Sequence, residues 1–407
     1  MTTAAETKRL SSSLRARTAE ESLSIVPQLA RARGVSRVVD TTWLDRIGIP
    51  VFASIRPDAQ SLCVNAGKGF TPAEAKIGAY MEAIEFSFAE EGRNAVPWRL
   101  VKPGDILDSF QARIAFTEFC AQLDKEVHDD DDIAVCRADE ILSQLGEVLV
   151  PAELVYAPFE ANPGVRLYGC STNGLASGNN LIEATVHGLA EVMERDVHAF
   201  QIIGDKSVLV GREELTPKLL EMFERIEVAG LSCYLRYVPN RFGMAFFSAY
   251  VLEPDELNPI AIAGGHGFHP VREIAAVRAL AEAVQSRLTN IHGGRDDLMR
   301  HVKLEGDLGV EAMRAAVRER QAQVADATGV VNFSSIPDVD VPSIDAALEC
   351  LYGALRKEGL VHVARVVLTE PDYPFQVVRI IVPGAESFTH GSQRVGPRLL
   401  EAFSTHE

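Results

Sequence analysis

Three segments of the chain combine a stretch rich in small residues with polar side chains three positions apart. In the central segment, residues 171–180 are mostly small or polar and precede Glu183, Glu191 and Glu194. A helix would place these three carboxylates on one face. Backbone N–H groups of a loop at a helix start suit an anion, and carboxylates beside an anion repel it unless a divalent cation lies between them. The central segment therefore predicts a site for a Mg²⁺-bound nucleotide.

The same arrangement occurs twice more, once upstream and once downstream. Residues 67–72 precede an E-x-x-E pair, and residues 264–270 precede an E-x-x-Q pair that is followed by an arginine. The side chains concerned are Glu82, Glu85, Glu282, Gln285 and Arg287. One such pair alone is more often the solvated face of a helix. Three pairs behind matching glycine-rich stretches instead predict one site assembled from three loop–helix units.

Composition and charge exclude several functional classes. The 407 residues are 47% hydrophobic and carry a net charge of −17. This acidity argues against a nucleic-acid partner, because binding to a phosphate backbone depends on Lys and Arg. No apolar run is long enough to span a membrane, and residues 1–13 lack the apolar core of a signal peptide. The six cysteines form no C-x-x-C pair, so we expect reduced thiols in a cytoplasmic protein.

Common catalytic motifs are missing from the sequence. It has no G-x-x-x-x-G-K-[ST], no G-x-G-x-x-G after a strand, no G-x-S-x-G and no H-E-x-x-H. His266 and His269 are close in sequence but lack further ligands at metal-binding spacing, which favours a loop role. The remaining carboxylates, amides and arginines suit phosphoryl transfer, in which the protein positions the phosphates and Mg²⁺ neutralises their charge.

Hydrophobic periodicity predicts an α+β fold of mixed sheets with packed helices. We expect a flexible N-terminus over 1–14, a single integrated domain over 15–407, and a peripheral subdomain around 102–158, with a solvated acidic loop at 129–132. The expected helices lie within 15–32 (with a Thr18–Glu21 capping box), 71–91, 107–123, 181–200, 213–228, 261–290, 308–325, 344–358 and 399–403. The expected strands lie within 38–64, 231–252, 361–368 and 375–382.

Five sequence blocks, in this order along the chain, resemble the signature of the YcaO family. The blocks are LDRIGIP at 44–50, GKG at 67–69 with Glu82 and Glu85, STNGLASGN at 171–179 with Glu183 and EVMERD at 191–196, AEAVQSR at 281–287, and VPGAE at 382–386. The likeness extends from about Arg15 to Arg398. It implies a YcaO-type fold in which the three loop–helix units converge on one nucleotide site.

The resemblance also implies a reaction. YcaO enzymes use ATP and Mg²⁺ to activate a backbone amide of a ribosomally synthesised peptide or of a protein. A nucleophile adds to the amide carbon, the resulting oxyanion takes the γ-phosphate of ATP, and phosphate then leaves. A Cys, Ser or Thr side chain as nucleophile gives an azoline ring, whereas sulfide or a sulfur-donor protein gives a thioamide.

Residue roles follow from the resemblance at matching positions. The implied Mg²⁺ ligands are Glu82, Glu85, Glu191, Glu194 and Glu282. The implied nucleotide and phosphate contacts are Asn179, Glu183, Arg195, Gln285 and Arg287, with weaker support for Arg15, Ser22 and Lys68. The residues expected to carry catalysis are Glu191, Glu194, Arg195, Glu282 and Gln285.

Two departures from the family pattern bear on the product. Azoline-forming members usually end in a proline-rich tail, whereas this sequence ends in FSTHE, and no leader-peptide-binding domain precedes the first motif. The RVGPR block at 394–398 is similar to members associated with TfuA partners, which install thioamides. We therefore expect thioamide formation first and azoline formation second. An amidine-forming or peptide-cleaving enzyme and a non-catalytic ATP-binding partner subunit stay open. The expected partners are a peptide or protein substrate, a TfuA-like or leader-binding protein, and a second copy in a homodimer.

Overall fold

Short strands and longer helices alternate along the chain. The computed structural model describes residues 7–106, 113–254, 260–294, 310–389 and 391–404. The strands are β1 Lys8–Arg9, β2 Leu14–Arg15, β3 Arg37–Asp40, β4 Val51–Ile55, β5 Val64–Lys68, β6 Trp98–Val101, β7 Ile133–Glu140, β8 Gly146–Pro151, β9 Leu175–Gly178, β10 Val208–Val210, β11 Ser232–Tyr237, β12 Ala245–Leu252, β13 Ile262–His269, β14 Val330–Val331, β15 Ala364–Val367 and β16 Gln376–Ile381. The helices are α1 Ala19–Leu23, α2 Val26–Ala32, α3 Pro72–Ala89, α4 Pro103–Ile106, α5 Leu181–Ile203, α6 Pro217–Val228, α7 Arg272–His292, α8 Val310–Ala325, α9 Ile344–Lys357 and α10 Pro397–Ser404.

The chain forms two compact units, each built from separated stretches. Unit 1 contains the described residues of 1–7, 85–205 and 341–407, and unit 2 contains those of 8–84 and 206–340. The boundary at Ile84 and Glu85 falls inside α3. The mixed α+β architecture predicted from periodicity is confirmed, while the single domain over 15–407 stays a prediction.

Unit 1 is organised around a six-stranded antiparallel sheet. Its strands run in the order β6-β7-β15-β16-β9, and β8 pairs with β7. Helix α5 packs against β9 and β16, and α9 packs against α5. The range 102–158 supplies the largely buried strands β7 and β8 to this sheet. The peripheral subdomain expected around 102–158 stays a prediction.

Unit 2 contains a five-stranded sheet in the order β13-β12-β11-β10-β14 and a three-stranded sheet in the order β3-β4-β5. Helix α7 packs on β13, β12 and β5, and α6 contacts both α7 and β11. Its core joins these layers through buried side chains such as Phe247, Leu280 and Val284. The two strands expected within 231–252 are confirmed as the antiparallel pair β11 and β12.

Two other predictions on the first half of the chain have mixed outcomes. The Thr18–Glu21 capping box at the start of α1 is confirmed, with both reciprocal hydrogen bonds present. The N-terminus was expected to be flexible up to residue 14, but β1 and β2 form a hairpin. This hairpin is anchored because Ser11 donates from its backbone N–H and its hydroxyl to the Glu74 carboxylate of α3.

The helix expected over 107–123 is wrong where the structure describes it. Residues 107–112 lie outside the described part, and the remainder contains only a 3₁₀ turn at Phe116–Phe119. Phe116 and Phe119 are both buried. The three-residue spacing of these aromatic side chains fits a 3₁₀ turn as well as it fits an α-helix. The acidic run 129–132 is largely exposed, as expected for a solvated loop. No helix in the described ranges has both the length and the hydrophobicity to cross a membrane.

The glycines of the three repeated segments lie largely in strands and not in phosphate-binding loops, which corrects the sequence interpretation. Gly67 lies in β5, Gly178 in β9, and Gly265 and Gly267 in β13. Their backbones are paired in sheet ladders, which leaves few free N–H groups for an anion. The missing side chains instead allow each strand to approach the helix that follows it.

These strand–helix contacts share one geometry. A Cβ on Gly67 would lie 2.0 Å from Ala79 N and 2.2 Å from Ala75 O. A Cβ on Gly267 would lie 2.1 Å from Ala275 O and 2.8 Å from Ala279 N. In β9 the position equivalent to Gly67 and Gly267 is Ala176. The close approach occurs two residues later, where a Cβ added to Gly178 would lie 2.3 Å from Ala184 N. Each strand is therefore held against the N-terminal turns of the helix that follows it.

The spacing from these strands to the polar pairs is constant. Counting from positions 67, 176 and 267, small residues follow after eight and twelve positions, and the polar pair follows after fifteen and eighteen. The small residues are Ala75 and Ala79, Ala184 and Gly188, and Ala275 and Ala279. The polar pairs are Glu82 and Glu85, Glu191 and Glu194, and Glu282 and Gln285. The repeat recognised in the sequence is thus a strand–helix hairpin of fixed length.

A glycine substitution tests the importance of this contact. Gly267→Ala should destabilise the protein by about 1–3 kcal/mol, because the new methyl group meets the backbone of α7. Gly353→Ala in α9 is the matched control, since no described atom lies within 4 Å of its Cβ position. This control should stabilise the protein by about 0.5–1 kcal/mol through helix propensity. Urea denaturation measures both, and a Gly267→Ala protein as stable as the wild type would contradict the interpretation.

Candidate functional site

The first turn of α5 holds two of the predicted nucleotide contacts in a hydrogen-bonded cap. Asn180 is the N-cap residue, and its side chain accepts the Glu183 N–H at 2.9 Å. The Asn179 amide donates to both carboxylate oxygens of Glu183 at 3.0 Å. Glu183 is only 2% exposed. The predicted helix start at 181 is confirmed, and the buried carboxylate fixes the orientation of the Asn179 amide.

The turn before β9 is fixed by a buried arginine. Arg379 of β16 donates to the carbonyl oxygens of Val155, Asn173 and Ser171 at 3.2, 3.1 and 2.5 Å. Burial lowers the pKa of Arg379 to about 10, and the Glu191 carboxylate opposes that change. Gly174 has a φ of +78°, which only glycine adopts easily. Arg379 therefore holds the small-residue stretch 171–180 against the sheet through hydrogen bonds to its carbonyl groups.

The remaining predicted carboxylates of unit 1 lie on α3 and α5. Glu85 accepts the backbone N–H and the hydroxyl of Ser177 in β9, at 2.8 and 2.5 Å. Glu85 and Glu194 are 9% and 5% exposed, whereas Glu191 and Arg195 are half-buried. On the same helix α3, but in unit 2, Glu82 is also half-buried. Burial of Glu85 and Glu194 argues against the simple alternative of a solvated helix face.

In unit 2 the predicted residues Lys68, Glu282 and Gln285 lie together. The Lys68 ammonium is 2.8 Å from the Glu282 carboxylate, whose other oxygen accepts the His266 N–H at 3.4 Å. The Gln285 amide donates to the Ala66 carbonyl at 2.7 Å. These contacts tie α7 to both β5 and β13. They bring together side chains that are far apart in the sequence.

Arg287 occupies a buried ion network. Its guanidinium contacts Asp45 at 2.8 Å and Glu253 at 2.6 Å, and its side chain is 2% exposed. Arg46 reaches the second oxygen of Glu253 at 3.1 Å. The LDRIGIP block thus supplies an acid and a base that fix α7 in unit 2. The sequence resemblance implied a phosphate contact for Arg287, and that role stays a prediction.

Two predicted residues near the N-terminus are held by local contacts. The Arg15 guanidinium donates to the Ser13 hydroxyl at 3.1 Å, within the β1–β2 hairpin. Ser22 of α1 is 4% exposed. Both belong to unit 2, and their predicted contacts with phosphate remain predictions.

The C-terminal motifs carry a network that the sequence interpretation did not assign. Asp196 of α5 contacts Arg398 at 2.5 Å and accepts the Glu386 N–H at 2.8 Å. The Glu386 carboxylate accepts the N–H groups of Gly396 and Leu399 at 2.6 and 2.9 Å, at the start of α10. The VPGAE and RVGPR blocks therefore dock the C-terminal helix on α5. Each of these two blocks has a charged residue close to a proline, and this pattern is the feature of the sequence that could have indicated the network.

The tail arginine Arg394 is also internal. Its guanidinium donates to the Phe119 and Cys120 carbonyl oxygens at 2.6 and 3.1 Å, and its side chain is 7% exposed. Burial lowers the pKa of Arg394, although nearby Cys120, Tyr168 and Glu386 favour its charged form. This residue stabilises unit 1 through backbone carbonyls.

The positions of the carboxylates bear on the predicted Mg²⁺ site. In the described ranges, no three His, Cys, Asp or Glu side chains are grouped as ligands of one metal ion. Mg²⁺ at nucleotide sites is usually held by one or two carboxylates, with phosphate and water oxygens completing the shell. The E-x-x-E pairs fit such an ion and do not fit an all-protein cage. Convergence of the three helices on one triphosphate stays a prediction.

Comparisons with known proteins agree with this architecture. The family model described as YcaO cyclodehydratase, ATP- and Mg²⁺-binding, matches residues 66–386. A protein of Methanothermobacter thermautotrophicus is 34% identical over 90% of this chain and 93% of its own length. A protein encoded in the tfuA 3′ region of Rhizobium leguminosarum bv. trifolii is 29% identical, over 91% of this chain and 88% of its own length.

The fold has a counterpart among solved structures. YcaO from Methanopyrus kandleri, solved with AMPPCP and Mg²⁺, superposes with a TM-score of 0.73 at 22% identity and covers 95% of this chain and 96% of its own. This similarity defines the class of protein as a YcaO-type α+β fold. Together with the family match over most of the sequence, it is decisive: the chain belongs to the YcaO family. The prediction of ATP and Mg²⁺ is confirmed at the level of the family description.

A substitution separates the two interpretations of Arg287. Arg287→Met should destabilise the protein by about 3–5 kcal/mol, because Asp45 and Glu253 would lose a buried counter-charge. Arg314→Met, which removes a surface pair with Glu311 in α8, should cost less than about 1 kcal/mol. Urea denaturation and ATP titration measure both properties. Unchanged stability with weakened ATP binding would contradict the structural role.

Proposed function

We propose that this protein uses ATP and Mg²⁺ to O-phosphorylate a backbone amide of a peptide or protein, and that the product is a thioamide formed with a sulfur-donor partner. The observation that carries the amide-activating function is the set of partly buried polar pairs, two of them E-x-x-E and one E-x-x-Q, on three equivalent strand–helix hairpins in a chain of the YcaO family. Such pairs supply the one or two carboxylates that a nucleotide-borne Mg²⁺ takes from a protein.

The proposal assigns a role to most of the predicted residues. Glu82, Glu85, Glu191, Glu194 and Glu282 would be the Mg²⁺ ligands. Asn179, Arg195 and Lys68 would donate to phosphate oxygens. Glu183 holds the Asn179 amide in one orientation, and Gln285 is fixed by its bond to the Ala66 carbonyl. When bound, ATP would supply the phosphoryl group and Mg²⁺ would neutralise its charge. The protein's contribution is then positioning and electrostatic stabilisation.

Thioamide formation is favoured by the TfuA connection. One relative that aligns with 91% of this chain is encoded in a tfuA 3′ region. The RVGPR block is similar to TfuA-associated members, although Arg394 and Arg398 contact groups within unit 1. Those contacts give the block a structural role within unit 1, and the proposal assigns it no contact with substrate. A TfuA-like protein is the partner we propose.

Azoline formation is the second candidate because the matching family model is described as a cyclodehydratase. The two reactions share activation of the amide and differ only in the nucleophile. Amidine formation and peptide cleavage would also begin with the phosphorylated amide. The described structure carries no observation that favours them.

The product can be determined by mass spectrometry of the substrate. The protein is incubated with the peptide or protein encoded beside it, ATP, Mg²⁺, sulfide and the neighbouring TfuA-like protein. We expect exchange of one oxygen for one sulfur at a backbone amide. Loss of one water would instead identify an azoline, and cleavage would give two shorter chains. ATP binding with no substrate-dependent phosphate release would favour the non-catalytic subunit.

The acidic pair on α5 can be tested separately. Glu191→Ala and Glu194→Ala should each reduce substrate-dependent phosphate release by about 100-fold or more, since both carboxylates are proposed Mg²⁺ ligands. Glu224→Gln, at an exposed position of α6, is the control and should retain wild-type turnover. Circular dichroism checks the fold of each variant. Full turnover in both alanine variants would reject the assignment of the central helix.

A further inference from the structure

A small polar cavity in unit 1 is lined by residues of α5, β16 and the two C-terminal blocks. Its volume is about 20 Å³. One water molecule needs about 10–15 Å³, so the cavity admits one ligand slightly larger than water and excludes phosphate or sulfate. The polar residues of its wall are Ser171, Asn173, Ser387 and Arg394, and the other wall residues are apolar.

Arg394 brings a buried charge to this cavity. Its side chain is 7% exposed, and its Nε and Nη2 atoms donate to the carbonyl oxygens of Cys120 and Phe119. Within the described residues, the Nη1 atom makes no hydrogen bond. A guanidinium has five N–H donors, so the two on Nη1 are available to an occupant of the cavity.

The acidic residues around Arg394 are already engaged. The carboxylates whose charges act on Arg394 are those of Glu386 and Glu153. Each accepts two backbone N–H groups, at the start of α10 for Glu386 and before β9 for Glu153. The hydrogen-bond acceptors of Arg394 in the described part of the chain are therefore carbonyl oxygens, although a buried charge is normally paired with an opposite one.

A second buried guanidinium lies behind the wall of the cavity. Arg379 is fully buried and donates to the carbonyl oxygens of Ser171 and Asn173 at 2.5 and 3.1 Å. Burial lowers the pKa of Arg379 to about 10, Glu191 opposes that change, and the charge of Arg394 adds to it. An anion in the cavity would reduce the repulsion between the two cations.

Two hydroxyl groups of the wall have hydrogens to donate. The Asn173 amide donates to the Ser387 hydroxyl at 3.3 Å, while the amide oxygen Oδ1 is shielded from solvent. Neither the Ser387 hydroxyl nor the Ser171 hydroxyl donates to an acceptor among the described residues. Ser387 and Arg394 are also partners in a β-bridge, which places their side chains next to each other. The wall therefore offers donors from both serines and from Arg394, as an anion requires.

We propose that this cavity binds one small monovalent anion through the Arg394 guanidinium and the hydroxyl groups of Ser171 and Ser387. Chloride and hydrosulfide both have the required charge and size. Hydrosulfide would be the sulfur nucleophile of thioamide formation, and in that case the inference rests on the proposed function. Val192 of the cavity wall follows the proposed Mg²⁺ ligand Glu191 in α5, so the anion would lie beside the helix proposed to hold the metal.

Chloride and bromide are the probes for this site. Crystals of the full chain soaked in bromide should show an anomalous peak in the cavity, and chloride NMR should show saturable line broadening by the protein. Sulfate and phosphate at the same ionic strength should not displace chloride, because they exceed the size of the cavity.

Variants assign the signal to the named residues. Ser387→Ala should weaken chloride binding by about 10-fold, the loss expected for one hydrogen bond to a charged partner. Arg394→Gln should abolish saturable binding because it removes the charge. Ser404→Ala, at an exposed position of α10, is the matched control and should bind chloride within about twofold of the wild type.

Competition with sulfide distinguishes the two occupants. If sulfide displaces chloride, and Ser387→Ala raises the KM for sulfide about 10-fold in the thioamide assay while the KM for ATP stays within about twofold, the cavity holds the nucleophile. If sulfide does not displace chloride and its KM is unchanged in the variant, the cavity is a chloride site. Both results support an anion site.

Two results would overturn the proposal. One is a wild type with neither a bromide peak nor saturable chloride broadening, which would leave the cavity to water. The other is equal chloride binding by the wild type, Ser387→Ala and Arg394→Gln. Ser387→Ala gives an answer even if Arg394→Gln lowers the thermal midpoint. A wild type that releases phosphate from ATP with substrate but binds no halide rejects this site and keeps the proposed function, whereas chloride binding without ATP turnover does the reverse.

Discussion

Close approach of a strand backbone to the helix that follows it is the constraint on which this fold depends. At Gly67 and Gly267 even a methyl group would collide with helix backbone atoms. The helix side of the contact must also be small, and alanine or glycine occupies it in all three hairpins. Since strand and helix are held at one distance and register, the side chains fifteen and eighteen positions later have fixed positions relative to the strand. Packing of small uncharged residues between strand and helix therefore determines where the polar pairs lie.

Two of the three helices also contact the strand of another hairpin within one unit. In unit 2, Gln285 of α7 donates to the Ala66 carbonyl of β5, and Glu282 pairs with Lys68 of the same strand. In unit 1, Glu85 at the end of α3 accepts two bonds from Ser177 of β9. The position eighteen residues after the strand glycine therefore binds a neighbouring strand in both cases. Residues that the sequence marks as a nucleotide site are also part of the framework.

Local patterns were sufficient to predict several of these features. The capping box of α1 and the start of α5 depend on neighbouring residues, and the spacing of the polar pairs is visible in the sequence. The environment of the glycines could not be predicted from local patterns, because small residues fit a phosphate loop and a close strand–helix contact equally well. Arg287 illustrates the same limit, since its partners Asp45 and Glu253 are remote in sequence. Pairing of distant strands and burial of charged side chains depend on contacts between remote residues, so local patterns in one sequence do not reveal them.

The Lys68–Glu282 pair connects the framework to the proposed chemistry. Both oxygens of Glu282 are engaged, one by Lys68 at 2.8 Å and the other by the His266 N–H at 3.4 Å. Each carboxylate oxygen has more than one acceptor site, so a cation can bind Glu282 while both donors are present, but it would compete with the Lys68 ammonium for the carboxylate charge. Release of the Lys68 ammonium by this competition would cost about 1 kcal/mol or less, because the pair is about a quarter exposed. The released ammonium is then available to a phosphate oxygen. Under the proposed function, metal binding and phosphate binding are therefore coupled through one lysine.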